Sequence, residues 1–228
     1  MLSKKPVALF LMLVLALMGV QIFSLPSHSQ EKVKAYRDIY FGITRAELAK
    51  AMIKDQKIQP NSPKESNDWT TEYAFTDFSV YLGDAKYELI GNFYGNKEDP
   101  NGGMGEGGFV PGKLMRLWFR SQLENYFNID LVLNRRDYLV RLISDQYGEP
   151  GKKQKVDPAT LGDYETKFSH VWYEKQTGAE KRIKIGVEFT GTYYLAVMSI
   201  EHPELVIKRK KAEREKEKEE TESEAQDF

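Results

Sequence analysis

The chain has 228 residues, with 33 Lys or Arg against 34 Asp or Glu, a formal net charge of −1, and no cysteine. The missing thiols exclude disulfides, thiolate metal sites and a lipid-modified cysteine anchor, so packing alone must stabilise the fold. The balanced charge supplies no bulk attraction for nucleic acid or for an anionic membrane surface.

Residues 1–29 read as an export signal. Lys4 and Lys5 form a short basic start, Val7 to Val20 is apolar apart from Gly19, and Ser27-His28-Ser29 gives a small-x-small cleavage pattern after Pro26. A retained anchor is the competing reading. The apolar stretch ends at Phe23 and is broken by Gln21, which is short for a span that needs about 20 apolar residues. Removal of the signal predicts a periplasmic or secreted protein.

Residues 30–42 are a polar lead-in that turns aromatic at Tyr36, Tyr40 and Phe41. A first unit, residues 43–132, opens on Ile43-Thr44-Arg45-Ala46-Glu47-Leu48. Thr44 is placed to cap a helix, Glu47 to close a capping box, and Ile43 to staple onto Leu48. The helix is predicted from Arg45 to about Lys57, with Leu48, Ala51, Met52 and Ile58 inward. A loop over Asn61–Asn67 and strands over Glu72–Leu82, Lys86–Tyr94 and Lys113–Ser121 follow, with Gly83-Asp84 as a tight turn.

A second unit, residues 133–203, repeats the layout. Leu133-Asn134-Arg135-Arg136-Asp137-Tyr138 carries an Asn cap, an acid three residues on and a staple, at an offset of 90 from the first signal. At that offset Phe78-Ser79 meets Phe168-Ser169. The helix over Arg135 to about Tyr147 turns Tyr138, Leu139, Leu142 and Ile143 inward and stops at Gly148 before Pro150. Strands are predicted over Tyr164–Glu174, Lys181–Thr190 and Tyr193–His202. The fold class is therefore α+β: two tandem α-β-β-β units form an antiparallel sheet with helices on one side. A charged tail over residues 204–228 is expected to start helical near Glu204 and to fray.

Where the second unit closes its last hairpin with Gly191-Thr192, the first inserts the 18-residue stretch Gly95–Gly112. Long insertions in compact domains are functional or without order, which makes Met104 and Phe109 partner-contact candidates. Gly103 to Val110 matches the form GxGxxGxV. A strand follows it where a dinucleotide site needs a helix N-terminus, and no downstream kinase motifs exist. Gly107–Lys113 resembles a phosphate loop, but Leu114 stands where the metal-binding hydroxyl belongs. His170 and His202, alone beyond the leader, make no zinc set, and no nucleophile elbow or triad is present. Neither an enzyme activity, a metal nor a cofactor is predicted. Strand alternation places Arg116, Trp118 and Arg120 on one face, opposite Met115, Leu117 and Phe119. Arg and Trp are enriched at binding hot spots, so these three join Met104 and Phe109 as partner-binding candidates. Phe168, His170 and Trp172 form a similar alternate set in the second unit.

Gly42-Ile43-Thr44-Arg45-Ala46-Glu47-Leu48, followed by a helix and an antiparallel meander, resembles the SmpA/OmlA family of outer-membrane assembly accessory lipoproteins. Two such units in tandem resemble the β-lactamase-inhibitor-protein fold, and Gly148-Glu149-Pro150 fits the Gly-x-Pro helix ending of these families. The lipidated cysteine is absent, each unit has one helix in place of two, and the first helix lacks that ending. The resemblance implies protein binding without catalysis and transfers no binding residue.

The functional expectation is an exported, non-enzymatic interaction module with a protein partner in the cell envelope. One alternative is a small-ligand or polyanion binder, because Lys113–Lys155 holds nine basic residues against five acidic. The other is a hydrolase assembled from scattered acids.

Overall fold

The computed structural model describes residues 33–60, 74–94, 104–105, 108–109, 112–176 and 179–226. The expected export signal with its cleavage site, the expected Asn61–Asn67 loop, most of the Gly95–Gly112 stretch, and Thr177 and Gly178 lie outside the described residues.

The lead-in is an ordered ribbon, β1 (Lys34–Tyr36) against β2 (Ile39–Tyr40). Arg37 adopts φ 50° in the connecting turn and donates from Nε to the Asp55 carboxylate. Ala35, Ile39 and Phe41 are buried, and the Tyr36 ring meets Phe119 edge-on at 4.9 Å.

The first start signal works as read. In α1 (Arg45–Lys54) the Thr44 hydroxyl accepts from the Glu47 N–H at 3.3 Å, and the Thr44 N–H donates to Glu47 Oε2 at 2.8 Å. Ile43 and Leu48 are both buried, as a staple requires. The helix ends at Lys54, short of the predicted Lys57, because Asp55 Oδ1 takes the Lys57 N–H and turns the chain into β3 (Ile58–Pro60). Ile58 is thus a buried strand residue. The strands β4 (Ala74–Leu82), β5 (Ala85–Tyr94) and β8 (Lys113–Ser121) follow, with a hairpin β6 (Met104–Gly105) and β7 (Gly108–Phe109) inside the insertion.

The second start signal does not cap a helix. Asn125 and Asn128 close a 3-10 turn, and α2 runs Ile129–Tyr147, which leaves Asn134 exposed in its interior. The cause is apolar packing ahead of the polar signal. Val132 is fully buried against Leu161, Val187 and Ala196, with Ile129 and Leu133 beside it at helical spacing. That burial carries the helix start six residues further back, from Arg135 to Ile129, tertiary contact overriding local preference. Leu139 and Ile143 face the core as predicted, whereas Leu142 is 37% exposed. The end is as read: Gly148 has φ 75° and its N–H donates to the Ser144 carbonyl at 2.8 Å. Then come β9 (Lys152–Lys153), β10 (Glu165–Gln176), β11 (Ala179–Phe189) and β12 (Tyr194–Glu201).

The tail starts helical where expected, and in place of fraying the helix continues as α3 (Pro203–Gln226). Leu205 anchors it on the core, the Arg209–Glu213 and Lys211–Glu215 pairs bridge i to i+4, and its Lys, Arg, Glu and Ala are strong helix formers.

One antiparallel sheet runs β3-β4-β5-β8-β12-β11-β10-β9. Each half builds inward from a short edge strand through a meander, and the two final strands meet at the centre. There Arg116 pairs with Glu201, Trp118 with Ser199, and Arg120 with Val197. The edges are blunted by Pro60 on β3 and by Lys152 and Lys153 on β9. The helices cover one face. Its core joins Leu48 and Met52 of α1 and Leu139 and Ile143 of α2 to Phe78, Leu89, Leu117, Phe119, Ile183, Ile185, Met198 and Ile200 of the sheet.

Candidate functional site

The candidate site is the sheet face turned away from those helices, hereafter the open face. Alternation in β8 sends Leu117 and Phe119 into the core and leaves Arg116, Trp118 and Arg120 on the open face, each half-buried. Because β8 lies between β5 and β12, these three stand at the middle of the sheet.

Their partners come from the second half of the chain. Arg116 Nε donates to Glu201 Oε2 at 3.0 Å. Lys184 Nζ and Arg182 Nη1 reach Glu201 Oε1 at 2.7 and 3.4 Å. Three cations therefore share one carboxylate whose side chain is 2% exposed. Arg120 Nη2 meets Glu188 Oε1 at 2.8 Å. The Arg116 and Arg120 guanidinium carbons lie 5.5 and 5.9 Å from the Trp118 ring centroid, a cation–π contact on each side. Trp118 stacks on Phe168 at 5.8 Å with 30° between planes, and Lys184 Nζ lies 5.1 Å from the Phe168 ring.

Phe168, His170 and Trp172 do not share a face, contrary to the simple alternation. The register of β10 on β11 shifts at Ser169, so Phe168 pairs with Gly186 while His170 pairs with Ile185 and Trp172 with Ile183. The extra residue of this bulge turns Phe168 to the open face and leaves Trp172 in the core, its Nε1 donating to the Gly148 carbonyl at 2.8 Å. Ser169 fills the bulge and donates to the Ile185 carbonyl at 3.2 Å. The offset-matched Phe78 is a fully buried core residue, so the Phe-Ser match does not extend to facing.

The electrostatics are layered. Glu201 and Glu188 lie beneath, with side chains 2% and 8% exposed, while Arg120 and Arg182 reach 39% and 32%. A partner approaching this face meets guanidinium edges and aromatic rings before any carboxylate of the network. Burial holds the Lys184 ammonium below the ordinary lysine range, against the opposing pull of Glu201. Asn92 Oδ1, Arg120 Nε, Arg182 Nε, Glu188 Oε2 and Ser199 Oγ are buried without a hydrogen-bond partner. Arg120 and Glu188 thus meet through one contact where a two-pronged one is possible.

A hollow of about 540 Å³ adjoins Arg120, bounded by Lys86, Glu88, Leu123, Thr190 and Leu195. Past it the linker leaves Leu123, Tyr126 and Phe127 exposed, Phe127 at 92%.

Met104 and Phe109, the other sequence candidates, pair with one another across the β6–β7 hairpin. Their side chains lie outside the described residues. Glu201, Lys184 and Arg182 escaped the sequence reading as site residues, and Phe168 entered it only in the alternate set with His170 and Trp172. Strand alternation puts Lys184 on one face with Glu188, but only the β8–β12 pairing puts that group beside Trp118.

Among the described residues no group of three or more His, Asp and Glu stands close enough to hold a metal ion, and no helix is long and apolar enough to cross a membrane. Burial lowers the pKa of both His170 and His202. Compared with known proteins, the chain matches no protein-family model, no curated protein and no solved structure.

Proposed function

We propose that the chain is an exported, non-enzymatic interaction module that holds a protein partner of the cell envelope on the open face of its sheet. One observation carries this proposal: Trp118 lies between Arg116 and Arg120 and on Phe168, partly exposed at the centre of the sheet. Tryptophan and arginine clustered centrally is the composition of an interface hot spot. The leader-like N-terminus supports export, and the resemblance to envelope-assembly and inhibitor families points the same way.

The test is affinity capture from the native envelope with the full chain, in parallel with Trp118→Ala and Phe168→Ala. The same partner must be recovered by the parent protein and by an Ile53→Ala control on the exposed side of α1, and lost by both site variants. A partner retained by folded Trp118→Ala refutes the assignment of this face.

The outward cations favour a second reading, a polyanion binder of the cell wall. It demands binding to a phosphorylated or acidic polysaccharide that weakens steeply with added salt.

A further inference from the structure

At the end of the sheet where β4, β8 and β11 stop and β5, β10 and β12 start, the chain exposes a row of apolar side chains. The register fixes that common end: Leu82 pairs with Ala85, Tyr87 with Ser121, and Phe189 with both Tyr194 and Glu165. Among the described residues eleven large apolar side chains are exposed, and seven of them lie here. Leu123, Tyr126 and Phe127 stand on the linker from β8 to α2, and Leu131 is in the first turn of α2. Tyr81 flanks them on β4, and Tyr164 and Tyr193 flank them beside β10 and β12. Five strand spacings separate β4 from β10, so the row runs about 24 Å.

The backbone holds this row outward. Glu124 and Tyr194 exchange backbone hydrogen bonds of 2.9 and 2.7 Å, and the Asn128 N–H donates to the Asn125 carbonyl at 3.0 Å. The Tyr126 ring rests 6.3 Å from Tyr194 and 6.4 Å from Phe127. Exposed apolar surface on this scale marks a protein or a membrane contact.

The neighbouring charge and the shape of the row decide between the two. Beside Tyr81 and Leu131 lies a cleft of about 520 Å³ whose lining includes Lys86, Asn134, Tyr138 and Arg141. Arg135 also borders it, but is committed to Glu124 at 2.8 Å. Among the described residues no group pairs with the side chains of Lys86 or Arg141, so two unengaged cations share the cleft with one acid, Asp84. A protein hot spot gathers its aromatics in one packed central patch, whereas this row is strung along loops at a sheet end. Four of its seven members are tyrosines, whose apolar ring and polar tip suit the membrane–water boundary. A lipid surface supplies both halves of the match, phosphates for the cations and an acyl border for the side chains.

We infer that this end of the molecule docks on an anionic phospholipid surface, with a lipid phosphate held by Lys86 and Arg141 and with Leu123, Tyr126, Phe127 and Leu131 seated at the acyl boundary. The docking uses no residue of the Trp118 cluster and does not rest on the partner proposed for the open face.

The chain has no cysteine, so one introduced thiol labels a single position. The test places a nitrobenzoxadiazole probe on Phe127→Cys in the full chain, and on Ile207→Cys as the control. Ile207 is exposed on α3, which leaves the sheet from its other end. Vesicles of equal parts phosphatidylcholine and phosphatidylglycerol raise emission at Phe127→Cys about threefold or more and leave Ile207→Cys unchanged. Attachment through the apolar N-terminal stretch alone moves both probes equally or neither, and overturns the inference. Lys86→Gln combined with Arg141→Gln, added to Phe127→Cys, raises the lipid needed for half of the rise about tenfold or more. Leu123→Ser combined with Leu131→Ser does the same. Neither pair includes a buried side chain, so both variants fold as the parent does. An unchanged lipid demand in either pair overturns the inference. So does an equal rise with inorganic phosphate, with soluble envelope protein, or on concentrating the chain without lipid. None of these results bears on capture through Trp118.

Discussion

Trp118 and Phe168 stack at 5.8 Å although they are fifty residues apart in sequence and belong to different halves of the chain. Two features make the contact: the central pairing of β8 with β12, and the bulge that turns Phe168 out of the core. Removing a fully buried Trp or Phe costs about 3–5 kcal/mol. Both rings here are half-buried, so each alanine variant is expected to lose about 1–2 kcal/mol, measured by chemical denaturation. Because the rings touch, the double variant should lose less than the sum, with a coupling of about 0.5–1.5 kcal/mol. Additive losses would mean that the stack contributes nothing beyond area.

Glu201 is expected to be the most sensitive charged residue of the chain. Glu201→Gln leaves Arg116, Arg182 and Lys184 around a neutral amide in a site with 2% exposure. Breaking a buried ion network from one side costs about 3–5 kcal/mol. The carboxylate also opposes the downward push of burial on Lys184, so in a folded Glu201→Gln protein the Lys184 pKa falls further. Denaturation gives the stability loss, and an NMR titration of the lysine side chains gives the shift. An unmoved Lys184 would contradict the network.

Most of the fold was legible because its signals are local. The box at Thr44, the Gly83-Asp84 turn, the Gly148 stop and the alternation of β8 each rest on a few adjacent residues, and the structure places all four as read. What was not legible depends on contacts across the chain. Asn134 fails as a cap because Val132 finds a buried seat on Val187 and Ala196. The bulge at Ser169 exists only against β11, so period-two counting wrongly kept Phe168 with Trp172. Glu201 looks in sequence like an ordinary strand end, and only strand order surrounds it with three cations.

The two start signals give a direct comparison. Thr44→Ala removes the side-chain half of a working box, leaving the backbone N–H to Glu47, and is expected to cost about 1 kcal/mol. Asn134→Ala, at an exposed helix-interior position, should instead stabilise by a few tenths of a kcal/mol, since alanine has the higher helix propensity. Equal losses in thermal or chemical unfolding would restore Asn134 as a cap.

Acid should destabilise the fold through two histidines, His170 within β10 and His202 just after β12. His170 is held below its ordinary range by burial first, then by Arg136 and Lys153. His202 is held down by burial and Lys208 against Glu204, with its ring 5.6 Å from Phe41. A lowered folded pKa means that the unfolded chain takes up protons first as pH falls. Stability is therefore complete above the unfolded value and is lost as pH drops from there through the folded value. Between about pH 7 and pH 5 the parent protein should lose more Tm than His170→Gln combined with His202→Gln. Parallel pH profiles for the two proteins would remove the histidines from the account.

Gly186 ties the open face to backbone geometry. A Cβ there would lie 2.0 Å from the Lys167 carbonyl oxygen and 2.7 Å from the Phe168 Cα. Both are backbone atoms of the bulged strand, so no side-chain rotation relieves the clash. Gly186→Ala must push β10 off β11 or slide the bulge, and a one-residue slip turns Phe168 toward the helices. The expected cost is about 3 kcal/mol or more, and the Trp118 fluorescence should change as its stacking partner leaves. Gly148→Ala is the control. Nothing lies within 4 Å of a Cβ there, and its φ of +75° strains only the local backbone, by about 1–2 kcal/mol. It should leave the Trp118 environment intact. If Gly186→Ala unfolds at the same denaturant concentration as Gly148→Ala and keeps its Trp118 emission, then close approach of the two strands does not position Phe168.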